Sequence, residues 1–195
     1  LRPTSGEITV NNVPYNALDI QTLREQTGYV TQDPVIFDDT IANNISLWRC
    51  STSNEERMGK VQLASKLAQC EGFISKMEKG YETVVGDRGV RLSGGEKQRI
   101  AIARELFKSP KLLIFDEASS ALDAHSEQYL QQEINRMHED RTILIITHRL
   151  SSVRNCDQIL VFSSGKIIET GTFSTLYSSE NSLFRKMCLE QGVRL

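Results

Sequence analysis

Leu92-Ser93-Gly94-Gly95-Glu96-Lys97-Gln98-Arg99 and, further along, Leu112-Leu113-Ile114-Phe115-Asp116-Glu117 are the two stretches on which the reading of this chain turns. The first is a Ser-Gly-Gly turn opening a helix. The second is an apolar strand that ends in two adjacent carboxylates. A helix N-terminus offers unpaired backbone N–H groups and a positive dipole end, which suit a phosphate. Two carboxylates at the C-terminal edge of a parallel strand suit Mg²⁺ and a water to be activated. Together they describe half of a nucleoside-triphosphate site. The other half, a Gly-x-x-x-x-Gly-Lys-Ser/Thr phosphate loop, does not occur in these residues: Gly59-Lys60 and Gly165-Lys166 are followed by Val61 and Ile167 and lack the upstream glycine.

Composition narrows the field. A chain of 195 residues with 39% hydrophobic content buries a core as one domain, or as one with a smaller lobe. The net charge of −2 gives no electrostatic support for nucleic-acid binding. The longest apolar runs, Leu112–Phe115 and Ile143–Ile146, fall far below the ~18 residues of a membrane span. Cys50, Cys70, Cys156 and Cys188 are widely spaced with no Cys-x-x-Cys pair, so reduced thiols are expected rather than a metal site or disulfide framework.

Working outward from the two stretches, Glu96 to Phe107 carries a helical period, ended by Ser109-Pro110. Upstream, Thr40 to about Lys79 is helical by the recurrence of Val61, Ala64, Leu67, Ala68, Phe73, Ile74 and Met77, and Gly80 to Arg91 is a loop. Tyr29-Val30-Thr31-Gln32 reads as a short strand ending at Gln32, broken by Asp33-Pro34, and Gly6 to Val13 as an edge hairpin around Asn11-Asn12. Downstream, a helix from roughly Ala124 to His138 is expected, then a strand at Thr142–Thr147. A helical turn at Ser151–Asn155, a hairpin around Ser163-Ser164-Gly165-Lys166 and helical pattern from Phe173 onward complete the chain. Apolar strands alternating with helices predict a parallel sheet covered on both faces.

In this order and spacing, Gln32, Leu92–Arg99, Leu112–Glu117, Ser120-Ala121-Leu122-Asp123 and His148 resemble the ATP-binding cassette (ABC) ATPase domain. Gln32-Asp33-Pro34 with Phe37, Thr40-Ile41-Ala42-Asn43-Asn44-Ile45, and Thr83-Val84-Val85-Gly86-Asp87-Arg88-Gly89 are similar to the exporter branch. The resemblance runs from Gly6 to the final helix. It implies an α/β, phosphate-loop-NTPase-like fold: a mostly parallel sheet with flanking helices, an inserted helical subdomain over 40–91 and an N-terminal antiparallel β edge. Residues 1–195 would form one ATPase domain, with 92–195 holding the signature, the Asp-Glu pair and the histidine. The strand with the base-stacking aromatic and the phosphate loop with its lysine would lie upstream of Leu1.

The resemblance also implies roles. Ser93, Gly94 and Gly95 would address the γ-phosphate of ATP held by a second ABC ATPase domain, in a head-to-tail homo- or heterodimer. Asp116 would hold Mg²⁺ through water, Glu117 would polarise the attacking water as general base, and His148 would contact the γ-phosphate. Gln32 would reach Mg²⁺ and the water, and the loop after it would couple to a transmembrane domain N-terminal to Leu1. Asp123 would cross the dimer interface, and doubles as a helix N-cap. Asp87 and Arg88 are contacts for the transmembrane partner or a solvated charged loop. The function implied is ATP-powered export at the cytoplasmic face of the cell membrane. Two alternatives stand beside it. One is a non-catalytic partner that lends its signature to another subunit's ATP. The other is a soluble ABC-type ATPase of DNA maintenance, disfavoured by the lack of sustained heptads between Gln32 and Leu92 and of a basic patch.

Overall fold

The computed structural model describes residues 3–49, 53–118, 124–137 and 141–194, with the side chains of 124–126 left aside. The expected motif Ser120-Ala121-Leu122-Asp123 and His138 lie outside the described residues.

The chain opens with a two-residue-turn hairpin, β1 (Thr9–Val10) against β2 (Val13–Pro14). Asn11 and Asn12 both take left-handed backbone, φ 50° and 64°, the geometry that matches the twist of antiparallel strands. This hairpin is a separate two-stranded sheet. Helix α1 (Ile20–Glu25) begins at Asp19, whose carboxylate accepts from Gln21 N and Thr22 N.

At the centre lies a three-stranded parallel sheet in the order β3 (Thr27–Val30), β4 (Leu112–Asp116), β5 (Thr142–Ile146). The register sets Val30 beside Phe115 and Asp116 beside Ile146. Side chains alternate across the sheet. On one face Val30, Leu113 and Phe115 are buried, with Ile143 and Ile145 packed beside them. On the other, Tyr29, Leu144 and Ile146 are each almost half exposed. The expectation of a sheet covered on both faces is therefore met on one face only among the described residues. Helices α5 (Gly94–Phe107) and α6 (Ala124–Met137) supply Ile100, Leu106, Leu130 and Ile134 to the same core, so both serve the Val30 face. The strand expected to end at Gln32 stops at Val30, because pairing with β4 ends at Phe115.

The helical segment after β3 contains α2 (Ile41–Ser46), α3 (Asn54–Leu67) and α4 (Glu71–Ile74). Thr40 and Ser53 cap α2 and α3 through their hydroxyls. Ile41, Ile45, Val61, Ala64 and Ile74 are buried in one cluster with Ile100 and Ile102 of α5, so this segment and the sheet share a core. The 80–91 connection is pinned to the start of α2 by Ile41 N donating to Thr83 O and Val85 N to Asp39 O, both 3.1 Å.

A second apolar cluster lies in the C-terminal part, around Leu150, Ile159, Val161, Phe173, Phe184 and Cys188. It is built from the antiparallel hairpin β6 (Ile159–Ser163) and β7 (Lys166–Gly171), with α7 (Phe173–Ser178) and α8 (Leu183–Glu190). Glu169 on β7 fastens α8 by accepting from Ser182 Oγ, Leu183 N and Phe184 N at 2.8, 2.6 and 3.1 Å. Burial raises the Glu169 pKa, but these donors outweigh it and hold the carboxyl below its usual range. Cys70, Cys156 and Cys188 are free thiols, and burial pushes each of them up.

One polar cluster sits inside the main core. Asn44, fully buried, accepts from Phe37 N at 2.8 Å and donates to Phe37 O at 2.9 Å and Thr40 O at 3.0 Å. Arg104 of α5 donates from Nε to Asn44 O, from Nη1 to Val35 O, both 2.8 Å, and from Nη2 to Asn44 Oδ1 at 3.3 Å. Desolvation lowers the Arg104 pKa, and carbonyl oxygens are its partners in place of a carboxylate. Asn44→Ala would strand several of these groups and should lower stability by roughly 2–4 kcal/mol. Lys60→Ala, which breaks only the exposed Lys60–Glu56 pair, should stay within about 0.5 kcal/mol. Urea unfolding followed by Trp48 fluorescence measures both, and equal midpoints for the two variants would refute the assignment of Asn44 as a core tie.

Candidate functional site

The C-terminal edge of the parallel sheet gathers the acidic and imidazole groups. Asp116 is the last residue of β4 and Glu117 the next. Glu117 leaves the strand in left-handed backbone, φ 49°, while its N–H still donates to Ile146 O at 2.9 Å. Left-handed geometry in a non-glycine residue costs about 1–2 kcal/mol, and the β4–β5 ladder and the local bond hold it in place. His148 follows β5 by two residues, and its Nδ1 lies 3.1 Å from Glu117 Oε1. The two sequence-predicted catalytic residues, far apart in the chain, are thus in contact, with His148 well exposed and Glu117 less so.

Asp116 has a partner outside its own strand. The Tyr29 hydroxyl, on neighbouring β3, donates to Asp116 Oδ2 at 2.6 Å. That bond, with burial and the carboxylate charge adding to it, raises the Tyr29 pKa above its usual value, so the phenol keeps its proton and remains a donor. Asp116 Oδ1 has no partner among the described residues, and neither does the exposed amide of Gln32. A carboxylate oxygen and an amide carbonyl are the hard oxygen donors that Mg²⁺ takes, so the donor types fit that ion. No cluster of three or more His, Cys, Asp or Glu occurs among the described residues.

Ser93 is the N-cap of α5, and Gly94 and Gly95 are its first two residues. Glu96 N donates to Ser93 Oγ at 3.3 Å, while Ser93 N and Oγ donate to Glu96 Oε2 at 2.7 and 2.9 Å. This capping box is a complete structural reason for Ser93 and Glu96. Ser93 and Gly94 are nevertheless exposed, and first-turn N–H groups face outward there. Gln32, Asp33, Val35, Arg88, Gly94 and Lys97 line a groove of about 410 Å³ between the loop after β3 and the start of α5. Gln98, fully buried, crosses under it and donates from Nε2 to Thr31 O at 3.1 Å, next to Gln32. The structure therefore brings Gln32 to the helix that carries Ser93, Gly94 and Gly95. It brings Glu117 to His148, and Asp116 beside them in sequence. Asp123 is outside the described residues.

Sequence reasoning missed Tyr29, Gln98, and the restraints on the His148 loop. Arg149 pairs with Glu127 of α6 at 2.6 Å, and Gln191 bonds the backbone at His148 and Leu150. A tyrosine in an otherwise buried strand, three residues before Gln32, was the one available signal.

Known proteins resemble this chain in sequence and in fold. The sequence model of the family described as "ABC transporter" matches residues 1–120. ABC transporter B family member 21 of Arabidopsis thaliana is 43% identical over 185 residues, 95% of this chain and 14% of that protein. The Heavy metal tolerance protein of Schizosaccharomyces pombe is 41% identical over 189 residues, 97% of this chain and 22% of that protein. This chain thus spans a small part of the length of the curated relatives it matches. The structure of a bacterial Atm1-family ABC exporter with ATP bound superposes with a TM-score of 0.90 at 38% identity, over 99% of this chain and 33% of that one. Taken with the signature turn, the strand-end Asp-Glu and the histidine that meets it, these likenesses mean that the chain belongs to the ABC transporter family, as a nucleotide-binding domain of exporter type.

Proposed function

We propose that this chain is the ATP-hydrolysing domain that powers substrate export by a membrane transporter. In this reading residues 1–195 act as one ATPase domain, with 40–91 as its helical subdomain and 92–195 carrying the signature and catalytic groups. The domain pairs head-to-tail with a second ABC ATPase domain. It works with a transmembrane domain on the same polypeptide, at the cytoplasmic face of the membrane. No helix among the described residues is long and apolar enough to cross a membrane. The single observation that carries the reading is the 3.1 Å contact between His148 Nδ1 and Glu117 Oε1. It favours a hydrolysing domain over a partner that lends only its signature.

The chemistry follows from the side chains. Mg²⁺, when bound, would neutralise charge on the phosphates, and Asp116, through water, and the Gln32 side chain would hold it. Glu117 takes the proton of the attacking water. The Glu117–His148 hydrogen bond orients the imidazole, so that its other ring nitrogen, Nε2, is left for the γ-phosphate oxygens, where charge accumulates. Ser93, Gly94 and Gly95 close the partner domain's ATP. For this the Ser93 hydroxyl must turn from Glu96 to phosphate while its lone pairs keep capping α5. The groove between the Gln32 loop and Arg88, lined in part by exposed Val35, suits the transmembrane partner.

Glu117→Gln in the full-length protein should abolish turnover, by ~10²–10⁴-fold, while ATP still binds, because the base is lost and the side chain keeps its size. Near-normal hydrolysis in that variant would overturn the assignment of Glu117. Gly94→Asp should act at a different step, leaving ATP binding in place but preventing closure of the domain pair, which crosslinking or light scattering with ATP would read. The 195 residues alone, without a phosphate-loop lysine and its backbone cradle, should bind Mg-ATP weakly and not hydrolyse it. Titration with a fluorescent ATP analogue tests this, and micromolar affinity with turnover would contradict it.

A further inference from the structure

The loop that carries His148 is held from three directions, and one of them lies at the far end of the chain. Locally, Arg149 N donates to Thr147 Oγ1 at 2.9 Å. From α6, Glu127 accepts from Arg149 Nη1 at 2.6 Å. From the end of α8, Gln191 uses both ends of its amide: Nε2 donates to His148 O at 2.7 Å and Oε1 accepts from Leu150 N at 3.1 Å. The two bonds straddle Arg149 and fix the orientation of the peptides on either side, which is what aims the imidazole.

The strut behind Gln191 is rigid. Helix α8 is fastened at its start by Glu169, and its Phe184 and Cys188 are fully buried. Phe184 also meets Phe173 edge-on at 5.3 Å. Gln191 itself caps the helix, its N–H donating to Met187 O at 3.1 Å. Its side chain is exposed, so the two amide bonds compete with water and contribute modestly to global stability. Their geometry is specific, however. A carboxamide offers one donor and one acceptor on a single rigid plane, whereas glutamate accepts at both ends and leucine does neither.

We propose that Gln191 is a positioning residue for hydrolysis: it clips the His148 loop to the C-terminal helix and so holds the imidazole against Glu117 and the γ-phosphate. The proposal rests on Glu117 and His148 being the hydrolytic pair. It makes the C-terminal helix a part of the catalytic apparatus, without any contact of its own to nucleotide. Loss of the clip loosens the aim of His148, and small misplacements of this kind cost large factors in rate.

The test uses the full-length protein with Gln191→Leu, Gln191→Glu and, on the exposed side of α8, Leu189→Ala as a control for helix damage. Amide exchange in the 147–151 segment should accelerate about tenfold in the leucine variant, the value expected for losing two modest hydrogen bonds. In the same variant kcat should fall at least about tenfold, with KM for ATP within about twofold, because the imidazole's aim matters in the transition state more than in binding. Gln191→Glu keeps the acceptor for Leu150 N and loses the donor to His148 O, so its exchange should be intermediate and its kcat still lowered. Leu189→Ala should change neither. Unchanged exchange in Gln191→Leu, or faster exchange with unchanged kcat, overturns the positioning role. If the leucine variant fails to fold, the glutamate variant decides by the same two readouts. Glu117→Gln measured alongside separates the layers. If it is inactive while Gln191→Leu turns over normally, the hydrolytic reading stands and the clip fails. If it remains active, the reading beneath the clip fails, and the role of Gln191 falls with it.

Discussion

A buried guanidinium organises this domain. Arg104 sits on the helix that begins at the Ser-Gly-Gly turn, and its three nitrogens end on the backbone at Val35 and on both oxygens of Asn44. Val35 belongs to the loop after Gln32, and Asn44 to the first helix of the helical segment. A single side chain thus joins the signature helix, the glutamine loop and the helical segment. The cost of desolvating the charge is met by carbonyl oxygens, whose own alternatives in a closed core would be unpaired. Because these groups are buried, breaking the ties would leave them unpaired, which links the three elements.

That constraint gives the site its division of labour. Everything tied to Arg104 lies on the side that presents Ser93, Gly94 and the groove near Gln32. Asp116, Glu117 and His148 instead come from the ends of β4 and β5, whose position depends on strand pairing and on the Val30 face of the sheet. Gln98 adds a further tie on the Arg104 side, running from the signature helix to the backbone just before Gln32. Gly28 shows how closely the pieces approach: a Cβ there would come within 2.7 Å of Leu113 Cδ2 and 3.2 Å of both Glu105 and Pro110. The strand is admitted under α5 only because that position lacks a side chain.

Much of this was legible before the structure. Asn11-Asn12 announced a hairpin, the period from Glu96 to Phe107 announced α5, and the apolar run ending at Asp116 announced a strand, because each is a local signal of backbone geometry or burial. That Glu117 and His148 share one sheet edge was readable, as both follow parallel strands, but their direct contact was not. What escaped were partners set by tertiary packing: Tyr29 on Asp116, Gln98 on Thr31, Arg104 on Asn44 and Gln191 on the His148 loop. A polar residue's type says what it can bond and nothing about which distant element will be there. The half-exposed face carrying Tyr29, Leu144 and Ile146 shows a related limit. Apolar runs report that a strand prefers burial, and the number of helices available to each face is a property of the whole arrangement.

Glu117 carries a conflict of its own. Its left-handed backbone would be more comfortable with glycine or asparagine, so a glutamate there is a locally unfavourable choice that the fold tolerates. A glycine there would relax the backbone and at the same time take away the partner of His148 Nδ1, so local backbone comfort and the contact at the sheet edge pull in opposite directions at one residue.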